Sequence, residues 1–216
     1  GTPIPAFISV LTGITDAHVA HAPRIDAALV MLLEFAGFAG PATDLPIMVD
    51  CNCPWTVDEA IAMARTLAPL NLKWLEEPVW PPEDHRGIAR VQSAGGIAVA
   101  AGENAMLPDF KSMFEHAALS FAQPSITKVG GVTMMRKVMT LADSFGVTVV
   151  PHSAYFGPGL LASIHCIAAM GIPTLVERYD ADFAENLLHD AIHPQNNGCI
   201  PVPQGPGLGV DPAGNE

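Results

Sequence analysis

Residues 46–103 read PIMVDCNCPWTVDEAIAMARTLAPLNLKWLEEPVWPPEDHRGIARVQSAGGIAVAAGE, and three apolar runs in them each close on an acid: Pro46-Ile-Met-Val-Asp50, Lys73-Trp-Leu-Glu76 and Ile97-Ala-Val-Ala-Ala-Gly-Glu103. The pattern continues downstream in Leu119-Ser-Phe-Ala-Gln-Pro-Ser125, Val147-Thr-Val-Val-Pro-His152 and Thr174-Leu-Val-Glu177. The end residues recur every 22–27 positions, which is room for one strand, one helix and two short loops. Runs that are apolar without alternation are buried on both faces, as parallel strands covered by helices are. Helix signals fill the gaps. Thr56-Val-Asp-Glu59 is a capping box ahead of a helix over 60–68. Met134, Val138, Leu141, Ala142 and Phe145 share one helical face, with Gly146 at the C-terminal cap. Residues 159–169 are apolar nearly all round and are followed by Gly171.

Repeated β-α units leave two architectures, an open doubly wound sheet or a (β/α)8 barrel. Six evenly spaced units favour the barrel. The expected fold class is therefore α/β, a (β/α) TIM-type barrel over residues 1–193, followed by an extended tail, 194–216, rich in Pro, Gly and Asn and packed on something else. Residues 4–10 and 16–21 read as further strands, but only about five residues separate them, whereas a parallel crossover needs roughly a dozen. The N-terminal part of the barrel is expected to be irregular or incomplete.

Composition narrows the partners. The 216 residues are 50% hydrophobic and 15% charged, enough apolar matter for one globular domain or two at most. Ten Lys+Arg against 22 Asp+Glu give a net charge of −12, which argues against nucleic acid and anionic membranes and leaves small molecules or metal ions. No apolar run reaches the ~18 residues of a spanning helix, and residues 1–5 lack the basic start of a signal peptide. The chain reads as soluble and cytoplasmic. Cys51, Cys53, Cys166 and Cys199 are irregularly spaced, and free thiols are expected.

The C-terminal ends of barrel strands converge on one mouth, so Asp50, Glu76 and Glu103 are expected to share a space there. Strand-end acids taken singly are as often solvated or paired with Lys and Arg. Three in register repel unless a cation neutralises them, and an all-oxygen set favours Mg2+ or Mn2+ over zinc. His152 ends a later strand and is expected across the mouth from the metal, where an imidazole can take or give a proton. Cys51-Asn-Cys53 is a weak thiolate signal, since no second cysteine pair accompanies it. Gly130-Gly131 is either an anion cradle at a helix start or a tight turn.

Met48-Val-Asp50-Cys-Asn52, Trp74-Leu-Glu76-Glu-Pro78, Gly102-Glu103-Asn104, Pro124-Ser-Ile-Thr-Lys128-Val-Gly-Gly131, His152 and Val176-Glu177-Arg178 resemble, in order and spacing, the barrel domain of the mandelate racemase and muconate lactonizing enzyme group of the enolase superfamily. The resemblance implies that Asp50, Glu76 and Glu103 bind Mg2+, or Mn2+ in its place. The ion then holds a substrate carboxylate and stabilises the enediolate formed when the α-proton leaves. It also implies that His152 is the acid/base and that Glu177 hydrogen-bonds the substrate carboxylate or enediolate, with Asn52 and Lys128 as further substrate-binding residues. A homo-oligomer is expected on the same ground. The activity implied is that of an acid-sugar dehydratase or cycloisomerase, with a racemase or epimerase of a hydroxy acid as the alternative. A non-catalytic fragment or pseudoenzyme is the rival from another class.

The sequence departs from the group at three points. Ser125 stands where racemase-like members pair the histidine with an Asp. No lysine precedes Lys73, so the group's Lys-x-Lys pair is replaced by His18 and His21. No segment is expected to supply the α+β capping domain that chooses the substrate.

Overall fold

In the computed structural model, residues 46–155, 157–171, 174–178, 192–195 and 197–210 are described. The chain divides into two compact units, Gly1–Pro46 and Ile47–Glu216, and every element named below lies in the second. The strands expected over 4–10 and 16–21 lie outside the described residues.

Strands and helices alternate: β1 (Met48–Asp50), α1 (Val57–Leu67), β2 (Trp74–Glu76), α2 (His85–Ala94), β3 (Val99–Ala101), α3 (Leu107–Glu115), β4 (Phe121–Ala122), α4 (Gly131–Ser144), β5 (Thr148–Val149) and α5 (Pro158–Met170). The sheet runs β1-β2-β3-β4-β5, with every neighbouring pair parallel. A doubly wound sheet reverses its order at a switch point, whereas successive staves of a (β/α) barrel do not. Residues 174–178 lie beside β5, held through Thr174 Oγ1 donating to the Val149 carbonyl (2.8 Å).

The helices form for the reasons the sequence offers. Thr56 caps α1, its amide donating to Glu59 Oε2 (2.9 Å), so the capping box is closed. Gly146 and Gly171 follow α4 and α5 in the left-handed region. The buried stripe of α4 is Met135, Val138, Met139 and Ala142, which corrects the expected face. Phe145 is not on that stripe: it caps the helix and packs on Phe114 of α3, ring centroids 5.8 Å apart. At the start of α4 the Gly131 amide is taken by the Ile126 carbonyl (3.0 Å), which makes Gly130-Gly131 a tight turn.

Alternation along the strands sorts side chains into two layers. Leu75 and Val99 are fully buried, as are Ile88, Val91, Phe110, Met113 and Met135 of the helices. On the other face Trp74, Ala100 and Val150 cluster with Ala98 and Phe121. The tail is not detached: Ile200, Val202, Leu208 and Val210 pack on Leu160, Leu161 and Ile164 of α5, and the Leu208 carbonyl lies 3.0 Å from His165 Nε2. No helix among the described residues is long and apolar enough to cross a membrane.

Candidate active site

Two residues beyond the apolar layer on the same strand face come Glu76 after Trp74, Gln123 after Phe121 and His152 after Val150, so alternation alone lifts polar groups to the strand ends. Glu76 is buried, and Trp74 Nε1 donates to its Oε2 at 3.0 Å. Asp50 is its register partner on β1, and both of its oxygens accept from Asn52, one from the amide and one from Nδ2, each at 3.0 Å. Asn52 and the next residue, Cys53, both sit in the left-handed region (φ 52° and 53°).

Glu103 reaches the same space by a break in alternation. From Ala100 the period of two would aim residue 102 inward, but Gly102 adopts φ 124°, and a Cβ there would lie 2.6 Å from the Phe110 ring of α3. Residue 102 thus faces the helix layer and Glu103 faces the mouth. One carboxylate oxygen or ring nitrogen from each of Glu76, Glu103 and His152 lies within 4.8 Å of the others.

His152 is therefore not across the mouth from these acids. Its Nδ1 lies 3.2 Å from Glu103 Oε2 and 3.1 Å from Glu177 Oε2, though aligned for a hydrogen bond with neither. Only β4 separates β3 from β5, about 10 Å in all, and two long side chains close that gap. Lys128 Nζ takes the other oxygen of Glu103 at 2.9 Å and Asn104 Oδ1 at 3.0 Å. Glu177 is fastened by Ser153, which is fully buried. The Ser153 amide donates to Glu177 Oε2 (3.1 Å), its Oγ donates to the Glu177 carbonyl (2.8 Å), and the Glu177 amide donates back to Oγ (3.1 Å).

Crowding shows in the titration of these groups. Partial loss of water around an otherwise exposed side chain, joined by the charges of Glu103 and Glu177, holds the Asp50 carboxyl above its ordinary range. Burial does the same for Glu76, against hydrogen bonds from Gln123 and Trp74. Glu77, buried beside them, is pushed up to about 7 by burial and then by Glu103. His152 is raised by its contact with Glu177, burial opposing, with Glu103 adding to the rise. For Glu177 burial works upward but is outweighed by His152 and the amides of Ser153 and Ala154, so it is lowered. Cys51 and Cys53 are both pushed up to about 12, first by burial. They stay protonated thiols, Cys53 Sγ donating to Glu77 Oε2 at 3.5 Å.

Of the residues singled out from sequence, Glu76, Glu103, His152, Glu177 and Lys128 are brought into direct contact or close approach, and Asp50 with Asn52 stands at the next strand end. The donor set fits a hard divalent cation, being mainly carboxylate oxygens whose mutual repulsion such an ion relieves. Ser153 and Trp74 escaped the sequence reading. Alternation from Glu76 could have found Trp74, but nothing in the sequence marks Ser153.

Residues 17–216 match the family described as Enolase C-terminal domain-like. The chain belongs to the enolase superfamily. Within it, the chain is 34% identical over 166 residues to the 3,6-anhydro-alpha-L-galactonate cycloisomerase of Streptomyces coelicolor, covering 76% of this chain and 44% of that one. It is 29% identical over 191 residues to the D-xylonate dehydratase of Haloferax volcanii, covering 87% and 45%. A racemase from Streptomyces coelicolor A3(2) with bound magnesium superposes with a TM-score of 0.71 at 30% identity, covering 88% of this chain and 50% of that one. The barrel architecture is that of this superfamily, in the mandelate racemase and muconate lactonizing enzyme group. The chain spans about half the length of the curated relatives it matches.

Proposed function

We propose that this chain carries the metal-holding and proton-transferring residues of a lyase or isomerase that removes the proton α to the carboxylate of an acid sugar, ending in cycloisomerisation or dehydration. The observation that carries the reading is the convergence of Glu76, Glu103 and His152 donor atoms within 4.8 Å of one another, in a superfamily whose similar members include a cycloisomerase and a dehydratase. Asp50, Glu76 and Glu103 are the proposed ligands of Mg2+, for which Mn2+ can substitute. When bound, the ion supplies Lewis-acid stabilisation of the charge that develops on the substrate carboxylate as the α-proton leaves.

The chain's own residues do the rest. With His152 Nδ1 facing Glu103 and Glu177, Nε2 is the atom left to take the α-proton and to return it to the oxygen that leaves the β-carbon, a hydroxyl in dehydration or the ring oxygen in cycloisomerisation. Glu177, held by Ser153, fixes the imidazole, and once it takes a proton beside the arriving negative charge it donates a hydrogen bond to the substrate carboxylate or enediolate. Lys128 and Asn52 bind polar groups of the substrate. Elimination and cycloisomerisation both need a proton moved on one face, which a single imidazole can do.

The test is incubation of the protein with Mg2+ in D2O over a panel of aldonates, aldarates, anhydro acids and lactones, read by mass spectrometry and NMR. Metal-dependent loss of the α-hydrogen is expected, giving a 2-oxo-3-deoxy acid, either one water lighter or isomeric with the substrate, that carries solvent deuterium at the β-carbon. Exchange with inversion alone assigns the racemase reading. Neither exchange nor product with any acid, Mg2+ being bound, refutes the proposal.

A further inference from the structure

Ser125 occupies the strand end where racemase-like members place an Asp against the histidine, and it is fully buried. Its hydroxyl turns elsewhere. Ser125 Oγ hydrogen-bonds the Tyr155 hydroxyl and lies 3.2 Å from Thr127 Oγ1. The Tyr155 ring stands edge-on to the His152 imidazole, centroids 5.7 Å apart at 85°, the arrangement aromatic pairs prefer. A third contact closes the cradle: a Cβ at Gly159, in the first turn of α5, would lie 2.9 Å from Tyr155 Cδ2 and 2.7 Å from Thr127 Cγ2. The ring also packs on the buried cluster of Leu160, Leu161 and Ile164. It is held at its hydroxyl by Ser125 and along one edge by the glycine turn, and it meets His152 across the remaining space.

We infer that Tyr155 is a positioning residue that fixes the orientation of the His152 imidazole, with Ser125 as its anchor. The inference rests on the acid/base role proposed above for what it does to turnover, but not for what it does to the ring. In a histidine–aspartate dyad the carboxylate orients the imidazole through a hydrogen bond at a ring nitrogen. In this chain Nδ1 faces Glu103 and Glu177, and rotation about the Cβ–ring bond is restricted by an aromatic edge. The pair Ser125–Tyr155 is neutral, so it orients the imidazole without adding a negative charge to an already acidic mouth. A larger residue at position 159 would push the ring, and a smaller one at position 155 would free the imidazole to turn.

The experiment compares Tyr155→Phe, Tyr155→Leu and Ser125→Ala with the parent in the full chain, with folding checked by circular dichroism. The first readout is the His152 ring signal in histidine-labelled protein without metal, identified by its loss in His152→Asn. Tyr155→Leu is expected to shift and broaden that signal. Tyr155→Phe and Ser125→Ala, which keep the ring but not its hydroxyl link, are expected to give intermediate shifts. The second readout is turnover: kcat of Tyr155→Leu is expected to fall about a hundredfold, the cost of an angstrom-scale misplacement, with KM nearly unchanged. A His152 signal identical to the parent's in Tyr155→Leu, or in both near-isosteric variants should Tyr155→Leu not fold, overturns the inference. A signal displaced in Tyr155→Phe and Ser125→Ala, which keep the ring and its shielding, in a protein with no turnover on any acid sugar upholds the positioning role and overturns the acid/base role of His152, so the two failures are distinguishable.

Discussion

His152 Nδ1 lies 3.2 Å from Glu103 Oε2, so a group expected to move protons touches a group expected to hold a metal. The same carboxylate gives its other oxygen to Lys128 Nζ at 2.9 Å. Glu103 is thus shared between an ammonium group and an imidazole, and a divalent ion must compete with both.

Removing one competitor should help the ion. A unit charge about 4 Å from a divalent ion costs about 2 kcal/mol in water-like surroundings, so Lys128→Met should tighten Mg2+ binding roughly thirtyfold while weakening substrate binding. Isothermal titration calorimetry with Mg2+ alone measures the first effect. Weaker binding would mean that Lys128 is needed to hold the Glu103 carboxylate in place.

His152→Asn separates the two roles the contact allows. As acid/base, its loss should lower α-proton exchange by about 10²–10⁴-fold, with Mg2+ affinity unchanged or slightly higher. If calorimetry instead finds the affinity much reduced, His152 belongs among the ligands, as its place beside Glu76 and Glu103 also permits.

Glu77 sets a pH dependence. Burial and then Glu103 raise its carboxyl from 4.5 to about 7, so the folded chain holds that proton more tightly than the unfolded one. The stability this provides is fully present below pH 4.5 and is lost as pH rises through about 7. With a chelator present, Glu77→Gln should raise Tm at about pH 8 by on the order of 5 °C and leave it nearly unchanged at about pH 5. Thermal melts at the two pH values decide, and equal effects at both would show that the charge on Glu77 does not govern stability.

Much of this site was legible because strand ends are legible. An acid closing an apolar run must emerge at the mouth, and Asp50, Glu76 and His152 were found in that way. The helix caps were legible too, since Thr56 and Glu59 are three residues apart and need nothing distant. What was hidden depends on separation through space. Ser153 meets Glu177 across 24 positions, and Ser125 meets Tyr155 across 30; no local pattern couples such pairs. The distance from His152 to Glu103 was misjudged for a related reason: counting strands gives their order around the sheet but not how far two long side chains lean toward each other. The stripe of α4 differs from the expected one by a rotation of the helix, because Met134 and Met135 are equally apolar and the elements packed against it, α3, α5 and β5, decide which turns inward.

Gly102 makes the most exacting prediction, because two separate constraints meet there. Its φ of 124° is disfavoured for any side chain, and a Cβ would lie 2.6 Å from the Phe110 ring. Strain of this kind costs about 1–3 kcal/mol, so Gly102→Ala should lower Tm by on the order of 5 °C. If the backbone relaxes toward ordinary strand geometry, alternation returns and Glu103 turns to the helix layer, so Mg2+ affinity should fall as well. Phe110→Leu removes the clash but not the backbone constraint. In a double-mutant cycle it should therefore destabilise less in the Gly102→Ala background than in the parent, whereas Mg2+ binding should remain weak. Restoration of both stability and affinity by Phe110→Leu would mean that the ring alone, and not the left-handed glycine, turns Glu103 into the mouth.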